Sequence, residues 1–364
     1  MEPVTHFLYG ACISRAGFTR KTALATLTLT LAAEAPDIDM LWYLKGSAVG
    51  FVHHRGFTHT FLGIPVVAAL VVAFVFVLNY VYRRWRPLKP VPEGRPPRLL
   101  PRWGVLYGLA CLAGVSHILL DFTNNYGIRP LWPFLNRWFA WDIIFIIEPV
   151  ILVLLIAGLV LPALFGLVNS EIGARARGPR GRGGAITALV LVAIFWGVRD
   201  YEHRRAVAAM ESVMFHDRVP TRVAANPYQI NPFKWYGVAE TEKTYESVIV
   251  NSSTPEVDPQ GAEQTYYKPP DSDIIRAAKS TYLGGAFIDW ARFPIIEVEK
   301  RESPLTYVVS FRDIRYAYPE RRGVPLSVYV VLDRNLRSVE EGFYSHNPVK
   351  NRMESTTPED EQKP

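Results

Sequence analysis

The chain has 364 residues, 49% of them apolar, and a net charge of +6, and neither property is spread evenly. The apolar surplus falls in the first two hundred residues, in runs too long for a soluble core. The arginines crowd between those runs, the pattern of cytoplasmic anchoring rather than of nucleic-acid binding, so no nucleic-acid partner is expected. The two cysteines, Cys12 and Cys111, have no CxxC or Cys/His spacing, which excludes thiolate zinc sites. They fit small buried residues, with a disulfide between them left open.

In chain order, Val4–Arg15 and Thr22–Ala35 are short apolar segments separated by basic residues. They suit a helical hairpin. A secretory signal peptide, with Ala33-Glu34-Ala35 as its cleavage site, is the alternative. Phe61–Tyr82, Trp103–Leu120 and Ile143–Val168 are each long enough to cross a hydrocarbon core of about 30 Å as a helix. Ala185–Val198 reaches that length only if it is extended to roughly 183–201.

Arg83, Arg84, Arg86, Lys89, Arg95, Arg98 and Arg102 lie between the first two spans, and Arg175, Arg177, Arg180 and Arg182 between the last two. Both loops are therefore predicted to be cytoplasmic. Alternation then sends His6, Asp37, Asp39, His53, His54, His59, His117, Asp121 and Asp142 to the opposite, outer face, with Glu148 a turn or two inside.

Those residues carry the chemistry. His117 and Asp121 are four apart in a predicted helix, so both can reach one ion, or tie helices together by a hydrogen bond. Asp37 and Asp39 follow the helix-ending Pro36 and can face one pocket from a turn. Two carboxylates so close favour a cation or proton between them. His54 and His59 flank Arg55 and Gly56. Arg55 offers a fork suited to a phosphate or carboxylate, while His53 reads as a surface residue. Imidazole and carboxylate without thiolate suit zinc, manganese or ferrous iron. His6, Asp37, Asp39, His54, His59, His117 and Asp121 exceed one tetrahedral site, so one to three divalent ions, zinc first, are expected.

His6, Pro36-Asp37-Ile38-Asp39, His54-Arg55-Gly56-Phe57-Thr58-His59-Thr60 and His117-Ile118-Leu119-Leu120-Asp121 resemble the bacterial YdjM-like family. Asn125-Tyr126-Gly127, Trp132-Pro133-Phe134 and Trp141-Asp142 look like it too, so the match covers roughly residues 1–170. Its members are described as inner-membrane, metal-dependent hydrolases. That family looks distantly similar to zinc-dependent phospholipase C and P1 nuclease. Their second His-x-x-x-Asp/Glu helix is not matched here, although Asp142 and Glu148 stand where part of it would be. The resemblance implies hydrolysis of phosphate esters or phosphodiesters, with lipid-linked substrates open. Asp39 and Arg55 are then expected to act in the reaction. A non-enzymatic metal-binding or adaptor protein is the alternative.

Beyond the membrane part, residues 205–235 read as a stalk and linker. Asn226-Pro227 and Asn231-Pro232-Phe233-Lys234-Trp235 resemble the tail of longer family members. Thr244–Val250, Ile295–Lys300, Leu305–Phe311 and Leu326–Leu332 look like strands, and Asp273–Leu283 like one helix. The expected architecture is a helical membrane bundle over 1–204, with four spans and a short N-terminal hairpin. A small α+β or β-rich extracytoplasmic domain over 236–345 follows, then a disordered tail over 346–364.

Overall fold

The computed structural model describes residues 1–86, 97–171, 181–258, 264–302, 304–320 and 324–344. The expected tail and much of both arginine-rich loops lie outside them. Contacts divide the chain into two compact units. The first holds Met1–Leu41, His53–Arg205 and Asn226–Lys234; the second holds Trp42–Val52, Ala206–Ala225 and Trp235 onward.

The first unit is helical. Helices α1 (Pro3–Gly17) and α2 (Ala25–Glu34) form the N-terminal hairpin. They approach closely because Gly10 has no side chain: a Cβ there would meet the Leu29 carbonyl oxygen at 2.8 Å and the Ala33 Cβ at 2.9 Å. Pro36 follows α2, and a 3-10 segment over Ala35–Lys45 carries Asp37 and Asp39. In the second unit, helix α3 (Ser47–His53) buries Phe51 against Phe287 and Trp290. Helices α4 (Gly63–Trp85) and α5 (Trp103–Phe122) are long and apolar enough to cross a membrane.

Helix α4 buries Ile64, Val67, Ala68, Val71 and Val75, one stripe at helical spacing. Ala68, Val71 and Val75 pack with Leu109, Ala110 and Ala113 of α5 and Ala25, Leu29 and Ala32 of α2. The small residues matter: without a hydrophobic drive between helices in lipid, close packing has to supply the association. A second core joins Cys12 of α1, Ile151 and Leu155 of α6 (Pro149–Glu171) and Ala188, Val192 and Trp196 of α7 (Arg182–Glu211). Cys12 is buried, Cys111 is partly buried, and both are free thiols.

The expected four spans become three among the described residues, α4, α5 and α7. The third expected span starts late, because Ile143 and Ile144 donate to the Thr123 carbonyl instead of opening a helix, and Pro149 begins α6. Helix α6 runs over Pro149–Glu171, and Pro149–Phe165 is its apolar stretch among the described residues. The fourth continues into the expected stalk as a single 30-residue helix that runs through the charged stretch to Glu211.

The second unit contains two four-stranded antiparallel sheets. One is ordered β1 (Arg222–Pro227), β2 (Lys234–Glu240), β3 (Thr244–Asn251) and β4 (Gln264–Tyr267). The other is ordered β5 (Pro294–Glu302), β6 (Leu305–Asp313), β7 (Val328–Asp333) and β8 (Ser338–Phe343). Four of these strands match the β-branched runs of the sequence. The single helix expected over Asp273–Leu283 is two, α8 (Asp273–Lys279) and α9 (Tyr282–Trp290). Ser272 and Thr281 each cap a helix through the side-chain oxygen, and a Thr281 hydroxyl that accepts from the Gly284 amide starts a new helix there.

Candidate metal centre

Three chain segments converge at one end of the helical unit. The 3-10 segment after α2 brings Asp37, the turn before α4 brings His59, and the last two turns of α5 bring His117 and Asp121. One ligand atom from each of these four lies within 4.8 Å of every other. Side-chain exposure is 0% for His59, 1% for Asp121 and 17% for Asp37, so Asp37 is the edge toward the exterior.

The protein fixes the donor atoms from behind. His117 Nδ1 is 2.7 Å from the Ala33 carbonyl oxygen, which can only accept, so the ring carries its proton there and turns the Nε2 lone pair into the cluster. His59 is held at both nitrogens: Nε2 lies 3.2 Å from Asp37 Oδ1 and Nδ1 lies 3.1 Å from Asp39 Oδ2. The two imidazoles meet with Nε2 atoms 3.1 Å apart. Asp121 accepts at Oδ1 from Arg55 at 2.7 Å, whereas its buried Oδ2 has no hydrogen-bond partner among the described residues. A buried carboxylate oxygen left in that state costs free energy unless something positive binds it. That orphan oxygen, beside two imidazoles and a second carboxylate, fits a divalent cation.

Electrostatics agree with the geometry. Burial alone would lower the His59 pKa, but its hydrogen bonds to Asp37 and Asp39 raise it to about 9. Burial alone would raise Asp37, but the hydrogen bond with His59 brings it down to about 2. A proton on His59 thus stands where a cation would satisfy the carboxylates.

The remaining expected site residues surround the four. Asp39 accepts the Arg55 backbone N–H at 2.7 Å and lies 3.4 Å from His54 Nδ1, so it braces His59 from the far side. Asp37 and Asp39 therefore face opposite nitrogens of one ring. His6 stacks on His117 with ring centroids 3.8 Å apart, and its Nε2 is 3.5 Å from Asp121 Oδ1. The Met1 amine contacts the same carboxylate. His54 is placed beside Asp39, where burial lowers its pKa.

Arg55 turns its guanidinium fork to a carboxylate of the protein itself. Its guanidinium donates to Asp121, to the Gly127 carbonyl at 2.8 Å and to Asn124 Oδ1 at 3.4 Å, and it stacks on Tyr126. Its backbone has φ = 54°, a strained value for a side-chain-bearing residue, held by the bond from its N–H to Asp39. Asp142 and Glu148 are outside the four-residue group. Glu148 Oε1 instead accepts from the Val150 and Ile230 amides.

Sequence reasoning missed Asn124 and the use made of the 226–234 segment. Asn124 is buried and receives both Arg55 and the Tyr126 amide. Asn226 accepts from Asn125 at 3.2 Å, while Arg199 donates to the Tyr228 and Asn231 carbonyls. The polar Asn124-Asn125 pair directly after an apolar helix was the available signal.

Residues 1–206 match the YdjM inner membrane protein family. The chain belongs to that family. It is also 26% identical over 361 residues to the uncharacterized protein YfhP of Bacillus subtilis (strain 168), covering 94% of this chain and 95% of that one. No solved structure matches. These comparisons agree with the first resemblance drawn from the motifs and say nothing of phospholipase C or P1 nuclease.

Proposed function

We propose that this YdjM-family protein is a membrane-bound, metal-dependent hydrolase of phosphate esters or phosphodiesters, working at the extracytoplasmic face. The observation that carries the reading is the Asp37, His59, His117 and Asp121 cluster with its unbonded Asp121 Oδ2. Two imidazoles and two carboxylates suit zinc before softer or larger ions. A divalent cation held there supplies Lewis-acid polarisation and acidifies water.

The chain's own residues do the rest. Asp39 and the Ala33 carbonyl fix the orientation of the two imidazoles. Arg55 holds Asp121 in place. Asp37, the partly exposed member, lies where substrate arrives. The extracytoplasmic placement rests on charge: Arg83 and Arg84 end α4, and Arg102 precedes α5, at the ends away from His59 and Asp121. Beyond the site, the buried face of α4 is wholly apolar, and α5 buries only apolar residues from Leu106 to Gly114. Those helices offer no polar steps for carrying an ion across the bilayer, which favours hydrolysis over transport.

The test is metal analysis of detergent-purified protein together with hydrolysis of phosphate mono- and diesters. Wild-type protein is expected to retain a stoichiometric divalent metal and to hydrolyse one ester class. Asp121→Ala is expected to lose both, and His53→Ala, at an exposed position, neither. A folded protein without metal, or an Asp121→Ala variant with undiminished hydrolysis, overturns the reading.

A further inference from the structure

Helix α5 has a second functional face. Val115, Ile118, Leu119 and Phe122 recur at helical spacing and form one wall of a groove of about 370 Å³. Pro130 and Leu131 belong to the opposite wall, in the loop that follows α5. The groove has almost no polar surface, so water inside it would find no hydrogen-bond partners. His117 and Asp121 are not among the residues that line it, whereas Ile118 and Ile128, which do, pack with Ile64 in an apolar core. The groove is therefore not part of the metal centre.

What fills it follows from where it lies. Its α5 wall is the flank of a membrane-crossing helix, with Val115 and Leu119 exposed. The loop carries Leu131, Trp132, Phe134 and Leu135, all exposed, and Phe134 is 85% exposed. Such a run is unfavourable against water and normal against lipid. Arg129 lies over the Trp138 ring at 4.4 Å, and exposed Arg137 lies near the Phe139 ring at 5.5 Å. Aromatic rings interleaved with arginines are the composition of the head-group level of a bilayer.

We propose that this groove binds one hydrocarbon chain of a membrane phospholipid, with Arg137 at the level of its phosphate. The site stands independently of the hydrolytic reading, because it uses none of the metal-centre residues. It anchors the end of α5 that bears His117 and Asp121 at a fixed depth in the leaflet.

The full chain is reconstituted into vesicles of phosphatidylethanolamine and phosphatidylglycerol. A diacyl phospholipid bearing a diazirine in the upper half of one acyl chain, nearest the glycerol, is included, and adducts are mapped by mass spectrometry after irradiation. Label is expected to concentrate on residues 115–122 and 128–139 over the exposed α4 positions Leu70 and Phe74. Leu119→Trp, which fills the groove, is expected to cut groove labelling several-fold while leaving α4 labelling unchanged. Val115→Phe repeats the test if the larger ring is not tolerated. Equal labelling of groove and α4, no response to either variant, or protein-to-protein adducts at the groove would overturn the proposal; the last would assign it to a second copy of the chain.

Discussion

His59 is the residue on which the candidate centre turns. Carboxylates face both of its nitrogens, and its partner His117 presents a lone pair rather than a proton. The imidazolium this favours, with a pKa raised to about 9, occupies the position of a cation. A metal binding at neutral pH must displace that proton. Below about pH 9 metal and proton compete, so affinity is expected to weaken as pH falls and to level off above it. Titration calorimetry with zinc in buffers of different ionisation enthalpy would show release of a proton per ion at neutral pH. No proton release would contradict this account of His59. The spacing of Asp37 and Asp39 revealed two nearby carboxylates. It did not reveal that one faces the cluster and the other braces the ring, because that depends on the 3-10 path after Pro36.

At the scale of elements, the helices of the first unit are set by apolar runs and their packing by small residues. Gly10 lets α1 rest on the backbone of α2, which fixes the carbonyl of Ala33 that orients His117. Gly10→Val is expected to force these helices apart at a cost of about 1–3 kcal/mol. It should lower the melting temperature in detergent and weaken metal binding together, whereas melting at the wild-type temperature would argue that the close approach is unimportant. Apolar run length marked α4 and α5 within a few residues, and the start of α7, since each must satisfy its backbone internally in hydrocarbon. It started α6 too early, because Ile143 and Ile144 lie before the helix, where their amides bond to the Thr123 carbonyl and their side chains are buried. It also merged α8 and α9, because apolar pattern does not register a hydroxyl that caps a helix.

At the scale of the whole molecule, the two units solve burial differently. The first exposes large apolar side chains along its spans; the second covers its apolar side chains with sheets and buries an ion pair beside them. Asp313 and Arg315 are both 1% exposed and 2.7 Å apart, and Arg315 also lies over Trp290 and Tyr316. Burial alone would raise the Asp313 pKa, but the charge and hydrogen bonds of Arg315 hold it below the usual range. Its stabilising effect is therefore present above the unfolded carboxylate pKa of about 3.9 and is lost as pH falls through the lower folded value. Asp313→Ala removes the carboxylate that faces a buried cation and is expected to cost about 3–5 kcal/mol. Near-ultraviolet dichroism of the full chain during heating would read this, and an unchanged transition would refute it. The amino-acid sequence by itself determined that the chain carries apolar helices with basic linkers and that its His and Asp motifs gather at one helix end, because apolar run length and charge are local properties. Only the tertiary structure decided which of those residues form the four-membered cluster, that Arg55 serves Asp121, and that residues 226–234 return to the helical unit. Each depends on side chains meeting across large sequence separations, where the direction of a ring or a carboxylate is set by packing rather than by spacing.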